Sequence, residues 1–266
     1  MGVIMISSMT NQRVKQVIRW QKKSRERNHD KIFLAEGFKM FEEAGEDMIR
    51  EVYLSESSLD KVNADQGLRD KLRVTGYELV SGDVFLKMAD TQTPQGIITV
   101  IRQPEYTLDT LLNIFNPLFL ILEDLQDPGN LGTIIRTAEG AGITGLIMSK
   151  HTVDIFNPKT IRSTMGSIYR VPFVYVQDLE EAVMSLHNAG VDVYAAHLEG
   201  EAFYHQLSYM SPTAFMIGNE SAGLSIKTAQ LADFYLKIPM AGQVESLNAA
   251  IAASLLMYEA YRQRHC

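Results

Sequence analysis

Three segments of the chain place polar side chains at turns that follow predicted strands. They are LEDLQDPGNLGTIIRTAEGAG (122–142), FMIGNESAGLS (215–225) and IPMAGQVESLNAAIAASLLMYEA (238–260). Their chemistry-bearing residues are Asn130, Arg136, Glu220, Ser246 and Asn248. A guanidinium and a carboxylate with neighbouring amides and a hydroxyl can hold an anion and orient a hydroxyl group. Taken singly, each is also ordinary loop chemistry, with Asn130 as a helix cap and Arg136 as a surface charge.

Several other chemistries lack their sequence patterns. No G-x-x-x-x-G-K-[ST] is present, so a P-loop enzyme is not expected, and GNLG (129–132) lacks dinucleotide-fingerprint spacing. The six histidines show no metal-ligand spacing, and no metal is expected. Ser221 in GNESAG is offset by one position from a nucleophile elbow, which disfavours a hydrolase triad.

The first hundred residues alternate between strand and helix signals. Thr10 or Asn11 predicts the start of a helix running to about Arg27. Its predicted buried side holds Val14, Val17, Ile18 and Gln21. Strand signals follow at IFLAE (32–36), EVYLS (51–55), YELVS (77–81) and GIITVI (96–101), with a short amphipathic helix at FKMFEEA (38–44). The alternation predicts a small α/β domain over residues 1–105.

The pattern changes after a proline-containing stretch, residues 106–117, which we interpret as a linker. LFLILED begins a second domain, 118–266, with the continuous apolar run of a strand covered on both faces of a parallel sheet. Similar runs are TGLIMS (144–149), VDVYAAH (191–197), TAFMIGN (213–219) and FYLKIPM (234–240). Helical patterns lie at about 130–140, 178–189 and 246–264. The last shows an apolar stripe at Leu247, Ala250, Ile251, Ser254, Leu255 and Tyr258.

Composition and charge set the class of protein. The 266 residues are 46% hydrophobic with one cysteine, and neither a secretory start nor a membrane-length apolar run occurs, so a cytoplasmic globular protein is expected. The net charge is −7, but residues 11–31 hold eight Lys and Arg against two acidic residues. This cluster is either a phosphate-contacting patch or a solvated helix face.

Together the three polar segments resemble the characteristic motifs of the SpoU branch of the SPOUT RNA methyltransferases. They occur in the family's order and with similar spacing, and NPKTIRSTMGSIYRVP (157–172) also resembles this branch. The amino-terminal FLAEGFKMFEEA and TQTPQGIITV are similar to the substrate-binding domain of many relatives. The resemblance implies an α/β fold in which a parallel sheet is threaded into a deep trefoil knot, with a smaller amino-terminal α/β domain.

The resemblance also implies a cofactor and its site. The knot loops of the family hold S-adenosylmethionine by backbone contacts, which fall here at Gly218, Ile238 and Leu247, with Met240 beside them. Glycine at 218 is expected to let the backbone approach the cofactor closely.

The implied catalytic residues are Arg136, with Asn130, Glu220, Ser246 and Asn248 as its companions. A guanidinium is essentially always protonated, which argues against Arg136 as a general base. We expect Arg136 to clamp the phosphate beside the target ribose and to stabilise the 2′-oxyanion. Asn130 and Asn248 are expected to orient ribose or cofactor groups. Glu220 either orders its loop or contributes to catalysis.

The implied reaction is methyl transfer to a ribose 2′-hydroxyl of RNA, with ribosomal RNA and guanosine favoured and transfer RNA as the alternative. RNA contact is expected at the basic cluster, through Arg13, Lys15, Lys22, Lys23, Arg25 and Arg27. Relatives are homodimers through the knotted domain, so a homodimer is expected. The rival interpretations are a non-catalytic RNA-binding protein that keeps the fold and a Rossmann methyltransferase acting on a small molecule.

Overall fold

The computed structural model of the protein describes residues 5–266. The elements up to residue 102 are α1 (Gln12–Lys22), α2 (Ser24–Asp30), β1 (Ile32–Glu36), α3 (Phe38–Glu43), β2 (Ile49–Ser55), α4 (Leu59–Ala64), α5 (Gln66–Thr75), β3 (Glu78–Val80), α6 (Gly82–Met88) and β4 (Ile97–Arg102). The four predicted strands and the helix at 38–44 are therefore present, with bounds shifted by one or two residues.

The elements from residue 105 onward are α7 (Leu108–Leu112), β5 (Leu118–Leu122), α8 (Pro128–Gly140), β6 (Gly145–Ser149), α9 (Pro158–Thr164), β7 (Phe173–Val176), α10 (Leu179–Asn188), β8 (Asp192–Ala196), β9 (Ala202–Phe203), β10 (Thr213–Ile217), α11 (Ile226–Ala229), β11 (Phe234–Lys237) and α12 (Ala249–His265). The five predicted strands and three predicted helices of this half are present, and β7, β9 and several short helices are additional.

The chain divides into two compact units. One comprises Met1–Pro104 and Phe156–Tyr169, and the other comprises Glu105–Ile155 and Arg170–Cys266. We call them the amino-terminal unit and the carboxy-terminal unit. The segment containing α9 therefore belongs to the amino-terminal unit, although it lies in the sequence between strands of the other.

The amino-terminal unit is built on a four-stranded sheet of order β1-β4-β2-β3. The pairs β1–β4 and β2–β4 are antiparallel, and β2–β3 is parallel. The α1 helix buries Val14, Val17 and Trp20 against this sheet, whereas Ile18 is only partly buried. The segment that contains α9 stacks Phe156 on Phe33 of β1, with ring centroids 5.1 Å apart.

The first helix is shorter than predicted. It ends at Lys22, Lys23 is extended, and α2 begins at Ser24. The break has a visible cause, because the Arg27 guanidinium donates to the carbonyl oxygens of Trp20 (2.6 Å) and Gln21 (3.3 Å) at the end of α1. Those carbonyls have no partner within the helix, and Arg27 satisfies them from the following helix.

The carboxy-terminal unit is built on a seven-stranded sheet of order β7-β6-β5-β10-β8-β11-β9 in which every strand pair is parallel. All five residues of β5 and of β10 are buried, as the continuous apolar runs predict. The expected linker differs from the structure, because Leu111 of α7 is buried in the core of this unit. The proline and polar residues of this stretch indicated a linker but could not show that the apolar residues among them pack.

The last helix begins later than predicted, and only part of its predicted apolar stripe is buried. Ala249, Ala250, Ala253, Leu256, Met257 and Ala260 are buried, and α12 packs on α8 and β10. Ile251 and Tyr258, which belong to the apolar stripe identified in the sequence, are 51% and 48% exposed. The helix is apolar on more than one face, so the pattern could not indicate which face packs inside the chain.

Candidate active site

The centre of the parallel sheet is a point at which the chain reverses its direction of travel across the strands. From β5 the chain proceeds outward through β6 and β7, and it returns to β8 on the other side of β10. In open α/β sheets, such a switch point leaves a crevice outside the carboxyl ends of the central strands. The first two polar segments follow β5 and β10, the two strands at this point.

A cavity of about 320 Å³ lies at the carboxyl ends of β8, β10 and β11. It is lined by all four residues expected to contact the cofactor, namely Gly218, Ile238, Met240 and Leu247. Ile217, Leu198 and Leu224 add apolar wall, and Glu220 and Ser246 lie at its polar side. An apolar cavity of this size with a few converging polar groups is typical of a small-molecule site.

An open cleft of about 630 Å³ adjoins the cavity, since Glu220, Ser246 and Leu247 line both. Asn130 and Asn248 line the cleft as well. Four of the five predicted catalytic residues therefore meet at one place.

Three of these side chains form one hydrogen-bonded network. The Asn130 amide donates to Glu220 Oε1 at 3.1 Å, and the Asn248 amide donates to Asn130 Oδ1 at 2.9 Å. The network joins residues up to 118 positions apart in the sequence. It fixes the orientation of both amides, so that each presents a defined edge to the cleft.

Glu220 holds the loop that follows β5. Its carboxylate accepts hydrogen bonds from the backbone N–H groups of Gln126 (3.0 Å) and Asp127 (2.8 Å). Burial acts to raise the pKa of Glu220, but these two bonds and the one from Asn130 outweigh it and leave the pKa below its ordinary value. A carboxylate that stays ionised in this way orders the loop and is a poor proton acceptor.

The helix caps at the cleft differ in part from the prediction. Asp127 caps α8 by accepting from the backbone N–H of Asn130 at 2.8 Å, so Asn130 is not the cap and its side chain is free to join the network. Asn248 caps α12 through Oδ1, which accepts from the N–H groups of Ala250 and Ile251. In the sequence, Asp127 directly before Pro128, the first residue of α8, was the better candidate for the helix cap.

Arg136 lies apart from this network. It follows Asn130 by six residues on α8, which places it about 9 Å further along the helix and on a different face. Its side chain is exposed, it does not line the cleft, and it makes no hydrogen bond or ion pair within residues 5–266. The structure thus brings together four of the five predicted residues and leaves the fifth facing solvent.

Gly218 is required by the loop itself. A Cβ atom at this position would lie 2.0 Å from the carbonyl carbon of Gly223 and 2.1 Å from the nitrogen of Leu224. The expected reason for this glycine was close approach to a cofactor. The nearest backbone is that of the same loop, which crosses over Gly218 before α11 begins.

Asn219 and Asp124 organise the site and were missed in the sequence. The Asn219 amide donates to the Asp124 carbonyl at 2.8 Å, and Asn219 Oδ1 accepts from the N–H groups of Ser221 and Ala222. Asp124 adopts a left-handed conformation (φ 52°), and its carboxylate accepts from the Ser149 hydroxyl at 2.6 Å. Asp124 and Asn219 each lie two residues after a strand. Their residue types could have indicated these turns, because Asn and Asp both favour such conformations.

The basic cluster of the amino-terminal unit divides into exposed, paired and buried members. Lys15, Lys22, Lys23 and Arg25 are exposed. Arg13 is ion-paired with Glu78, whose hydrogen bond and charge raise the pKa of the guanidinium. Arg27 is only 3% exposed, which corrects its assignment as an RNA-binding residue. Sequence alone could not distinguish a solvated arginine from one that caps a helix.

Comparison with known proteins agrees with this geometry. The model of the SpoU rRNA Methylase family matches residues 117–258, and that of the MRM3-like substrate binding domain matches residues 11–99. The chain belongs to the SpoU rRNA methylase family. The resemblance that the three polar segments indicate is therefore confirmed.

Individual relatives extend the match to nearly the whole chain. The 23S rRNA (guanosine(2553)-2'-O)-methyltransferase RlmP of Bacillus subtilis is 35% identical over 257 residues, covering 95% of this chain and 97% of RlmP. The 23S rRNA (uridine(2479)-2'-O)-methyltransferase of Streptomyces viridochromogenes is 34% identical over 204 residues, covering 74% of this chain and 71% of that protein.

Solved structures agree in fold. An AdoMet-bound rRNA methyltransferase from Sinorhizobium meliloti superposes with a TM-score of 0.83 at 30% identity, covering 97% of each chain. The SpoU methyltransferase AviRb from Streptomyces viridochromogenes gives a TM-score of 0.84 at 28% identity, covering 96% of this chain and 98% of AviRb. The expected class, an α/β fold with a parallel sheet of the knotted SpoU type, is confirmed, as is the reaction class of an S-adenosylmethionine-dependent methyltransferase.

The SpoU family cofactor fits the residues present. The apolar wall of Ile238, Leu247 and Leu198 would suit an adenine ring, and the negative charge of Glu220 at the polar side of the cavity would favour a cationic sulfonium. No group of three or more His, Cys, Asp or Glu that could hold a metal ion occurs among residues 5–266. Within the same residues, no helix has both the length and the apolar character needed to cross a membrane.

Proposed function

We propose that this protein methylates a ribose 2′-hydroxyl of ribosomal RNA at the cleft beside Glu220. The observation that carries the proposal is the network of Asn130, Glu220 and Asn248 at the mouth of an apolar cavity. The donor supplies an electrophilic methyl group, and the protein's own contribution is to hold the ribose in line with it. The two amides, fixed by the network, are suited to orient the ribose hydroxyls.

Ribosomal RNA is favoured over transfer RNA because the RlmP similarity covers both units of the chain. The relatives named above modify guanosine in one case and uridine in another, so the base is not set by the shared fold. We favour guanosine, the target of RlmP. With bacterial ribosomal RNA as its substrate, the protein is proposed to act in the cytoplasm.

Mapping of 2′-O-methylation tests the proposal. Ribosomal and transfer RNA from cells with and without this protein are compared, and the purified protein is then supplied with S-adenosylmethionine and the unmodified RNA. We expect one missing ribosomal mark that the protein restores. A missing mark on transfer RNA favours the alternative substrate, and no transfer to either RNA points to a non-catalytic RNA-binding protein.

Arg136 is proposed to clamp the phosphate next to the target ribose and to stabilise the developing oxyanion. Its exposed side chain has no partner among the described residues. The planar guanidinium presents a fork of donors that can bind two oxygens of one phosphate. Replacement by lysine keeps the charge and loses the fork. We expect Arg136→Lys to lower kcat by about 100-fold while leaving S-adenosylmethionine affinity unchanged. Near-full activity contradicts the bidentate clamp.

We also propose a homodimer through the carboxy-terminal unit, supported by the exposed side chains of Ile251, Tyr258 and Tyr261 along α12. Ile251→Arg is expected to give monomers in sedimentation, with Val74→Arg as the control for an exposed apolar residue in the other unit. In the dimer, Arg136 can serve the partner's cleft. If it does, mixing the inactive variants Arg136→Ala and Asn130→Ala restores activity, because the mixed dimer contains one intact site.

RNA recognition is proposed for the amino-terminal unit, through the exposed cations Lys15, Lys22, Lys23 and Arg25. Arg13 is a weaker member, since Glu78 already neutralises its charge. The match of residues 11–99 to a substrate-binding domain supports this assignment. RNA affinity is expected to fall steeply with salt.

A further inference from the structure

Three of the four cations of the α1 helix lie on one face. Lys15, Arg19 and Lys22 are spaced by four and three residues, so they lie in one row along the helix. Val14 and Val17, which are fully buried, lie on the other side. The helix contains no acidic residue. We call Lys15, Arg19 and Lys22 the basic stripe.

The stripe is unneutralised. Its three residues are exposed, and none of their side chains makes a hydrogen bond or ion pair with any other residue from 5 to 266. Arg13 of the same helix differs, because it lies off the stripe and is paired with Glu78. A row of cations that the protein does not pair retains its full attraction for an anionic partner.

The stripe is also held rigidly. Asp30 of α2 accepts from the Trp20 indole at 2.7 Å and from the Gln16 amide at 3.1 Å, which fixes α1 on α2. The buried Arg27 closes the end of α1 on the carbonyls of Trp20 and Gln21. Beyond the break at Lys23, Lys23 and Arg25 extend the exposed positive charge. A helix pre-positioned in this way loses little conformational entropy when a ligand binds.

The length of the stripe is compatible with contact to several phosphates of one strand. Lys15 and Lys22 are separated by about 10.5 Å along the helix axis. Over that length one strand of a nucleic-acid helix presents about three phosphates. Three cations therefore match three consecutive phosphates. Val14, Val17 and Trp20 of α1 are buried in the core and Ile18 is partly buried against it, so the helix offers no wide apolar face with which to enter a membrane surface.

From these observations we propose that the basic stripe tracks the phosphate backbone of one RNA strand and reads no bases. This inference rests on the proposed RNA substrate and adds the residues, including Arg19, and the mode of contact. Phosphate contacts of this kind set register and orientation, and sequence is read elsewhere.

The test compares the triple variant Lys15→Ala/Arg19→Ala/Lys22→Ala with a control of equal charge change, Lys61→Ala/Arg73→Ala/Lys87→Ala, whose residues are exposed elsewhere in the same unit. Binding to unmodified 23S ribosomal RNA and to single-stranded 20-mers of two different sequences is measured from 50 to 200 mM salt. Each phosphate contact contributes about 0.7 to the salt slope for single strands. We therefore expect wild type and control to lose about twentyfold more affinity over this range than the stripe variant.

The outcomes are distinct from those of the methyl-transfer assay. An equal loss on both 20-mers supports backbone tracking. A stripe variant with the slope of the control overturns the proposal, and a loss confined to one 20-mer overturns it too, because it indicates base reading. In methylation assays the stripe variant is expected to raise KM for RNA with kcat unchanged. If the wild type binds RNA through the basic stripe but methylates none, the proposed function is wrong and the proposed phosphate contact by the stripe is retained.

Discussion

The two units of this protein differ in charge and in how they use it. The amino-terminal unit holds 18 Lys and Arg against 15 Asp and Glu, a net charge of +3. The carboxy-terminal unit holds 7 against 17, a net charge of −10. The overall charge of −7 therefore describes neither unit, and it conceals the part of the molecule suited to an anionic polymer.

The contrast extends to the side chains at each site. The cleft of the carboxy-terminal unit is lined by the amides of Asn130 and Asn248 and the carboxylate of Glu220, which bond to one another and to the backbone, with the Ser246 hydroxyl beside them. The α1 face of the amino-terminal unit is built from lysines and arginines without partners among residues 5–266. A site that must hold a reacting ribose and a cationic donor needs fixed geometry. A surface that holds phosphates needs only accessible positive charge.

Among the variants that distinguish the two units, Gly218→Ala is expected to have the largest effect, on cofactor binding and on stability. The new methyl group would meet the backbone of Gly223 and Leu224 at 2.0 and 2.1 Å, so the loop must move. We expect S-adenosylmethionine affinity, measured by calorimetry, to fall about 100-fold or more, with a loss of stability of about 3 kcal/mol. RNA binding is expected to persist. Gly242→Ala is the control, because a Cβ there meets nothing within 4 Å. Equal cofactor affinity in both variants would refute the stated role of Gly218.

Arg27→Met tests the other unit with a smaller effect. The change leaves the Trp20 and Gln21 carbonyls without their donor in a buried position, which is expected to lower the free energy of unfolding by about 2 kcal/mol. Arg25→Met in the same helix is exposed and is expected to change stability very little. Denaturant unfolding measures both, and calorimetry should show unchanged cofactor binding. A stable Arg27→Met protein contradicts the capping role.

Glu220→Gln is expected to have the smallest effect on stability, about 1 kcal/mol at pH 7, because an amide has one acceptor for two backbone N–H groups. The effect should depend on pH. The pKa of Glu220 is lowered in the folded protein, so its stabilisation is complete above the ordinary value of about 4.3. It is lost as the pH falls through the lowered folded value.

Denaturant unfolding of wild type and Glu220→Gln at pH 7 and at about pH 3.5 checks this prediction. The difference between the two proteins should shrink on acidification, since the stabilisation by the ionised carboxylate diminishes below its ordinary pKa while the amide of the variant does not titrate. A difference that is constant with pH would show that the ionised carboxylate does not hold the loop.

Much of the site was predictable because its residues lie in the polar segments that join strands of strong apolar pattern to the following helices. Asn130, Glu220, Ser246 and Asn248 were identified in this way, and the structure gathers them at one cleft. Arg136 was identified with them, yet it faces solvent, since a motif gives the order of residues and not the face of a helix. Arg27 shows the same limit, because its charge suggested RNA while its burial makes it a helix cap.

Local sequence determined nine of the eleven strands, all but β7 and β9, since a run of apolar residues is buried whatever its neighbours are. It also determined the polar turns after β5 and β10 and the positive charge of residues 11–31. Only the tertiary structure decided that residues 156–169 complete the amino-terminal unit, which face of α12 is buried, and that Asn248 bonds to Asn130 across 118 positions. These choices depend on contacts between segments distant in the chain, and a pattern read along the chain carries no information about which distant segments meet.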